Sequence, residues 1–268
     1  MKKILSIIAM LSLALTMTAC TTQSQKPADT ASDLETIREN GALKIGYTII
    51  NPLNYFDDNN NLIGFETDFA SAVCEKIGVT PEFIEINWDS KEVELNSKNI
   101  DCIWNGMTIT PERQESMSIS IPYLENRQVI VAKAENADAY TESLEGVKVI
   151  AEGGSAGEEL ATSDEFFANA EYTAVDSQAT ALMDVASGTS GATVIDYVMA
   201  ASSVGKNTSF SNLSLIDKGF ESEQYGVACR KNSDLTDAIN TAMQELAADG
   251  TLAEIAAKYG LADLLLVK

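Results

Sequence analysis

The chain has 268 residues, 45% hydrophobic and 22% charged, the balance of a soluble globular protein with room for one large core or two modest ones. Its 40 acidic and 18 basic residues give a formal charge of −22, which argues against nucleic acid or any strongly anionic surface as a partner. Histidine is absent, so no Ser-His-Asp or Cys-His catalytic set and no histidine-ligated metal can be assembled, and neither metal nor cofactor is expected.

The first residues read as an export leader. Lys2-Lys3 precedes an apolar run over 4–16, and Met17-Thr18-Ala19-Cys20 closes it with small residues before a cysteine. The run is shorter than the roughly 20 apolar residues that span a bilayer. It looks like a bacterial lipoprotein signal, residues 1–19, with Cys20 as the lipidated first residue of the mature chain and 20–33 a polar tether.

A short helix over 34–39 is stopped by Gly41, and a first strand follows over 43–47. Phe69, Val73 and Ile77 recur at four-residue spacing, which predicts an amphipathic helix over 67–77 ending at Gly78. Strands are expected over 82–86 and 101–105, giving the β-α-β order of an α/β lobe. A second such unit holds strands over 128–132, 147–151, 172–175 and 192–195, with helices from about 158 and over 179–186. A strand over 225–229 leads to two final helices, the second opened by Thr251-x-x-Glu254 as a capping box and stopped at Gly260. Cys74 and Cys102 fall on apolar faces, as buried thiols or as a pair with each other, and no C-x-x-C spacing exists.

The densest information lies between Gly64 and Tyr123, which contains GFETDFASAVCEKIGV, then Trp88-Asp89, then IDCIWNGMTITPERQESMSISIPY. The apolar stretch 100–104 ends in Asn105-Gly106-Met107-Thr108, with Arg113 five residues beyond Thr108. A glycine turn, a hydroxyl and a guanidinium thus meet at a strand's carboxyl end, where open α/β sheets bind ligands. The rigid fork of arginine suits two-point contact with a carboxylate.

The run resembles the solute-binding proteins of polar amino-acid ABC importers, with their order GFDVDLA, W-D, D-x-x-x-x-G-M-T-I-T-x-E-R and F-S-x-P-Y, and the likeness extends from about Leu43 to Gly260. It implies a two-lobed α/β fold of the periplasmic-binding-protein type II, with lobe 1 over 34–124 and 225–268, lobe 2 over 125–224, and crossings near 123–127 and 221–225. By the same resemblance Arg113 and Thr108 hold a ligand carboxylate, Gly106 offers its carbonyl to the ammonium, and Asn105 and Met107 line the pocket. Asp196, at the end of the strand over 192–195, stands where the family pairs an aspartate with the α-ammonium, although Gly191 replaces the motif's first aspartate. The family's G-T-T-G type loop falls on the turn Gly153-Gly154-Ser155-Ala156, which implies Ser155 and Ala156 as carboxylate contacts. Phe65 aligns with an aromatic wall residue. Ile50 occupies the other aromatic position, leaving that role to Tyr47 or Tyr55, with Tyr47 preferred, while Trp88 and Trp104 read as core. Glu152, just before the turn, lies where the family sets a side chain over the ligand's variable part, and would repel an acidic ligand.

The implied function is a non-enzymatic, lipid-anchored, monomeric receptor outside the membrane. It would capture a zwitterionic amino acid and pass it to the transmembrane subunits of an ABC permease. Its rivals are a dehydratase on the same fold and a sensory or adhesive lipoprotein that feeds no transporter.

Overall fold

The computed structural model describes residues 32–268; Cys20 and the leader and tether readings before Ser32 lie outside them. Among the described residues no helix is long and apolar enough to cross a membrane.

Two separate sheets organise the chain. The first runs in the order Thr80–Glu85, Ala42–Tyr47, Cys102–Ile103, Ala228–Arg230, Met117–Ile119. Its first three strands are parallel, and the last two run against their neighbours. The second runs Leu213–Ile216, Leu124–Lys133, Ala192–Asp196, Lys148–Glu152, Glu171–Val175. Strands Lys148–Glu152 and Ala192–Asp196 are parallel and buried along their whole lengths apart from Lys148, as expected of strands covered on both faces.

Leu124–Lys133 begins as part of a two-stranded ribbon with Ser222–Tyr225 and continues into the second sheet. The chain passes between the sheets along this ribbon, whose register pairs Tyr225 with Leu124 and Glu223 with Asn126. At its first-sheet end Tyr123 and Tyr225 are fully buried, with ring centroids 6.4 Å apart. Tyr123 also packs on Phe69 at 5.6 Å and Phe65 at 6.2 Å, so the helix Phe65–Ile77 is fastened to the base of the ribbon by aromatic contacts.

Several local expectations need correction. The helix after Asp249 starts at Thr251 without a capping box: Gly250 takes the N-cap place at φ 87°, and Asp249 Oδ1 accepts from the Thr251 amide at 3.0 Å. The strand expected over 225–229 is two strands, Ser222–Tyr225 and Ala228–Arg230, separated at Gly226. A Cβ on Gly226 would lie 2.6 Å from Ile119 Cγ2, so the close crossing there needs glycine. The strand over 101–105 shrinks to Cys102–Ile103 because the chain turns away through Gly106 at φ 57°. Cys74, Cys102 and Cys229 are buried free thiols, with Cys102 and Cys229 opposite each other in neighbouring strands.

Candidate functional site

Where the two sheets face each other, the ends of their strands enclose a cavity of about 10 Å³. That is room for about one water molecule and far less than an amino acid requires. Ile50, Trp88, Asn105, Gly106, Thr108 and Arg113 line it from the first sheet's side. Glu152, Ser155, Ala156, Gln178 and Asp196 line it from the second.

Arg113 sits in the first turn of the helix Pro111–Ser116, where Pro111 needs no amide partner and Thr110 Oγ1 accepts from the Arg113 amide at 3.2 Å. Its Nη1 donates to the Thr108 carbonyl at 2.9 Å and Nη2 to the Gly154 carbonyl at 3.3 Å. Burial lowers its pKa from the ordinary value. None of the ion pairs within 4.0 Å among the described residues includes it. A half-buried guanidinium held only by carbonyls retains donors and positive charge for an anion.

Asp196 stands at the N-cap position of the helix Tyr197–Ser203, but its side chain does not cap that helix. The carboxylate accepts from Asn126 Nδ2 at 2.6 Å, Gln128 Nε2 at 2.7 Å and Gln178 Nε2. All three donors are neutral amides, so the side chain is fixed while its negative charge has no cationic partner within ion-pair distance. Behind it lies a carboxylate that the motifs did not reveal. Glu223 Oε1 accepts from the same Asn126 and Gln128 amides, at 2.5 and 2.8 Å. Burial and the charge of Asp196 push Glu223 up to about 7.

Glu152 ends its strand inside the cavity wall, 2% exposed, and its Oε1 has no hydrogen-bond partner. Burial, then the neighbouring Asp196 charge, push its pKa up to about 8. Ser155 caps the helix Ala156–Ser163, its Oγ accepting from the Glu158 amide at 3.1 Å. Glu158 reaches back to the Gly154 amide at 2.6 Å, so part of the anion-binding capacity of this turn is occupied by the chain itself.

Asn105 faces the cavity but spends its side chain on the loop over 48–54: Oδ1 accepts from the Thr48 amide at 2.9 Å and Asn54 Nδ2 at 3.0 Å. Gly106 donates its amide to Glu66 Oε1 at 2.8 Å, and a Cβ there would meet the Tyr225 ring at 3.2 Å. Glu66 is fully buried, also bonded by Tyr123 and Asn54, and burial pushes it up to about 7.

Three nominated residues are not in the cavity wall. Tyr47 packs edge-on against Phe83, Phe65 belongs to the aromatic cluster at the ribbon's base, and Met107 is buried beside Trp88 and Ile103. The apolar walls come instead from Ile50 and Trp88, the first bypassed for want of an aromatic ring and the second read as core. Gln178 was not singled out. It opens the helix after the strand Glu171–Val175, so the strand-end rule applied to the run before Arg113 would have nominated it.

Residues 43–262 match the family described as bacterial extracellular solute-binding proteins, family 3. The L-cystine-binding protein TcyJ of Escherichia coli is 30% identical over 235 residues, covering 86% of this chain and 87% of that protein. Among solved structures, an ABC uptake transporter substrate-binding protein from Streptococcus pneumoniae with bound histidine superposes with a TM-score of 0.79 at 29% identity, covering 85% of this chain and 96% of the other. The ancestral amino acid-binding protein AncCDT-1, described as a precursor of cyclohexadienyl dehydratase, gives 0.77 at 30% identity, with 85% and 99% covered. These relatives share the two-lobed α/β architecture expected from the sequence.

Proposed function

We infer that this chain, which belongs to the bacterial extracellular solute-binding proteins of family 3, captures a zwitterionic amino acid between its lobes and delivers it to an ABC permease. The observation that carries the reading is one cavity with a carboxylate-free guanidinium, Arg113, on one wall and an amide-held carboxylate, Asp196, on the other. An α-carboxylate complements the first and an α-ammonium the second, with the Thr108 hydroxyl and the Gly106 carbonyl beside them. Because the two groups belong to different lobes, such a ligand binds the closed form better and shifts the population toward it. In this reading the segments 34–124 and 225–268 move against 125–224 about the paired strands 124–127 and 222–225.

The receptor acts outside the membrane, held there as a monomer by lipid on Cys20, and the permease reads its closure. Glu152 faces the ligand's variable part and disfavours acidic side chains. Titration calorimetry with the twenty common amino acids tests the whole reading. Binding of neutral polar or basic members is expected, with glutamate and aspartate weak or silent; no heat with any of them removes the function, and glutamate as the tightest ligand removes the role of Glu152. The chain is not an enzyme in this reading, so a cyclohexadienyl acid should be returned unchanged.

A further inference from the structure

A simple zwitterion leaves one ionisable group of the cavity wall without a partner. Its walls carry one guanidinium, Arg113, and two carboxylates, Asp196 and Glu152. A zwitterion brings one charge of each sign, which satisfies Arg113 and Asp196 and leaves Glu152 as it stands, buried with an unpartnered Oε1. The nearest other cation is committed elsewhere: Lys91 Nζ donates to the Trp88 carbonyl at 3.3 Å and the Gly154 carbonyl at 2.9 Å, and stands 4.9 Å over the Trp88 ring. No ion pair joins Lys91 to Glu152.

A second observation points the same way. A groove of about 940 Å³ adjoins the cavity, sharing Thr108 and Ala156 with it. Glu125, Glu159, Asp164, Glu221 and Glu223 line this groove, and no lysine or arginine does. A low-dielectric cleft lined by one sign of charge concentrates ligands of the opposite sign and speeds their capture.

We propose that the cleft selects amino acids with a cationic side chain, the Glu152 carboxylate serving as the counter-charge to the ligand's distal cation. The inference rests on the amino-acid-binding reading above and names the substrate class within it. Arg113 takes the carboxylate, Asp196 the α-ammonium, and Glu152 the side-chain ammonium or guanidinium, while Trp88 and Ile50 flank the methylene stem. The ligand's distal cation then holds Glu152 in its ionised form, so that both carboxyl groups of the cavity and its guanidinium have partners in a site where an unpaired buried charge is costly.

Calorimetry on the full mature chain with lysine, arginine, glutamine, cystine and cadaverine decides it. Lysine or arginine should bind about tenfold or more tighter than glutamine, the discrimination that one favourably placed charge pair supplies. In Glu152→Gln that ratio should fall to near unity, while Glu152→Asp should keep a preference for the cation; thermal melting checks that both variants fold. Capture of lysine should also slow as salt is raised, and capture of glutamine should not. Glutamine or cystine binding as tightly as lysine and arginine overturns the proposal, because cystine's far end brings a carboxylate with its ammonium. So does a cation preference that survives in Glu152→Gln. The underlying reading fails separately, if cadaverine binds as tightly as lysine or if nothing binds at all, since Arg113 then has no carboxylate to hold.

Discussion

Lys91 Nζ donates to the Gly154 carbonyl at 2.9 Å, tying a helix beside the first sheet to the turn that follows a strand of the second. Arg113 Nη2 reaches the same carbonyl at 3.3 Å. One peptide oxygen therefore receives two cationic donors across the cleft, and the closed form proposed above depends on how near that peptide can come.

Gly154 makes this approach possible. Its φ is 71°, and a Cβ there would lie 3.1 Å from Lys91 Nζ and 3.2 Å from Asp89 Cα. Gly154→Ala should strain the turn by about 1–2 kcal/mol and add a contact that exists only when the lobes are closed. Ligand affinity should drop about tenfold, with a modest fall in melting temperature. Calorimetry and small-angle scattering of the loaded protein measure the two effects; unchanged affinity would show that the Gly154 peptide is not a closing contact.

Arg113→Ala should weaken amino-acid binding by roughly 3–5 kcal/mol, the scale for leaving the other member of a desolvated charge pair alone. Titration of the variant checks it. Wild-type affinity would remove Arg113 from the site.

The ligand-free protein should lose stability as the pH rises from mildly acidic to mildly alkaline. Burial raises Glu152 to about 8 and Glu66 and Glu223 each to about 7, against an ordinary 4.5. Between those values the folded chain binds more protons than the unfolded one, so the stability these groups permit is present below pH 4.5 and is lost as pH passes through 7 to 8. Histidine cannot obscure the trend, because the chain has none. Denaturant melts at pH 5 and pH 8 should favour pH 5, and Glu152→Gln should reduce the difference. Higher stability of the wild type at pH 8 would mean that these carboxyls are ionised without penalty.

Cys20→Ala should release the protein from membranes, because stable residence takes two or more acyl chains and the reading places all of them on that residue. Fractionation of cells expressing each form tests it: membrane sedimentation of the variant at the wild-type level would end the lipoprotein assignment.

Much of this architecture was legible because glycine punctuates it. Gly41, Gly78 and Gly188 each close a helix in the left-handed region, where the loss of periodicity places the stop. The family motifs, joined at Arg113 by the strand-end rule, pointed to Arg113, Asp196 and Glu152, which the fold brings to one cavity although they lie far apart in the chain. The second tier of the site was not legible. Glu66 reads as an ordinary acid in the first turn of a helix, and becomes a buried acceptor only because Tyr123 and Asn54 arrive from elsewhere in the chain. Glu223 alternates like any strand residue until the ribbon sets it beside Asn126. Nothing local distinguishes these two among 40 acids, because their burial is decided by partners remote in sequence. The wall residues failed for a related reason: aromatic character at Tyr47 and Phe65 served the core, and the cavity was left to Ile50 and Trp88.

The ribbon that carries the chain between its sheets also carries Asn126, and Gln128 follows on the same strand. Their amide nitrogens are shared between Asp196, which faces the cavity, and Glu223, which belongs to the returning strand. A cation that settles on Asp196 competes for the oxygen those amides now hold, and an amide released there has Glu223 as its other acceptor. If the lobes close about this ribbon as proposed, charge arriving in the cleft is converted into tension between its two antiparallel strands. On the proposed reading the pivot and the recognition surface are one piece of machinery, so a substitution at Asn126 or Gln128 should alter how far the molecule swings as well as how tightly it holds.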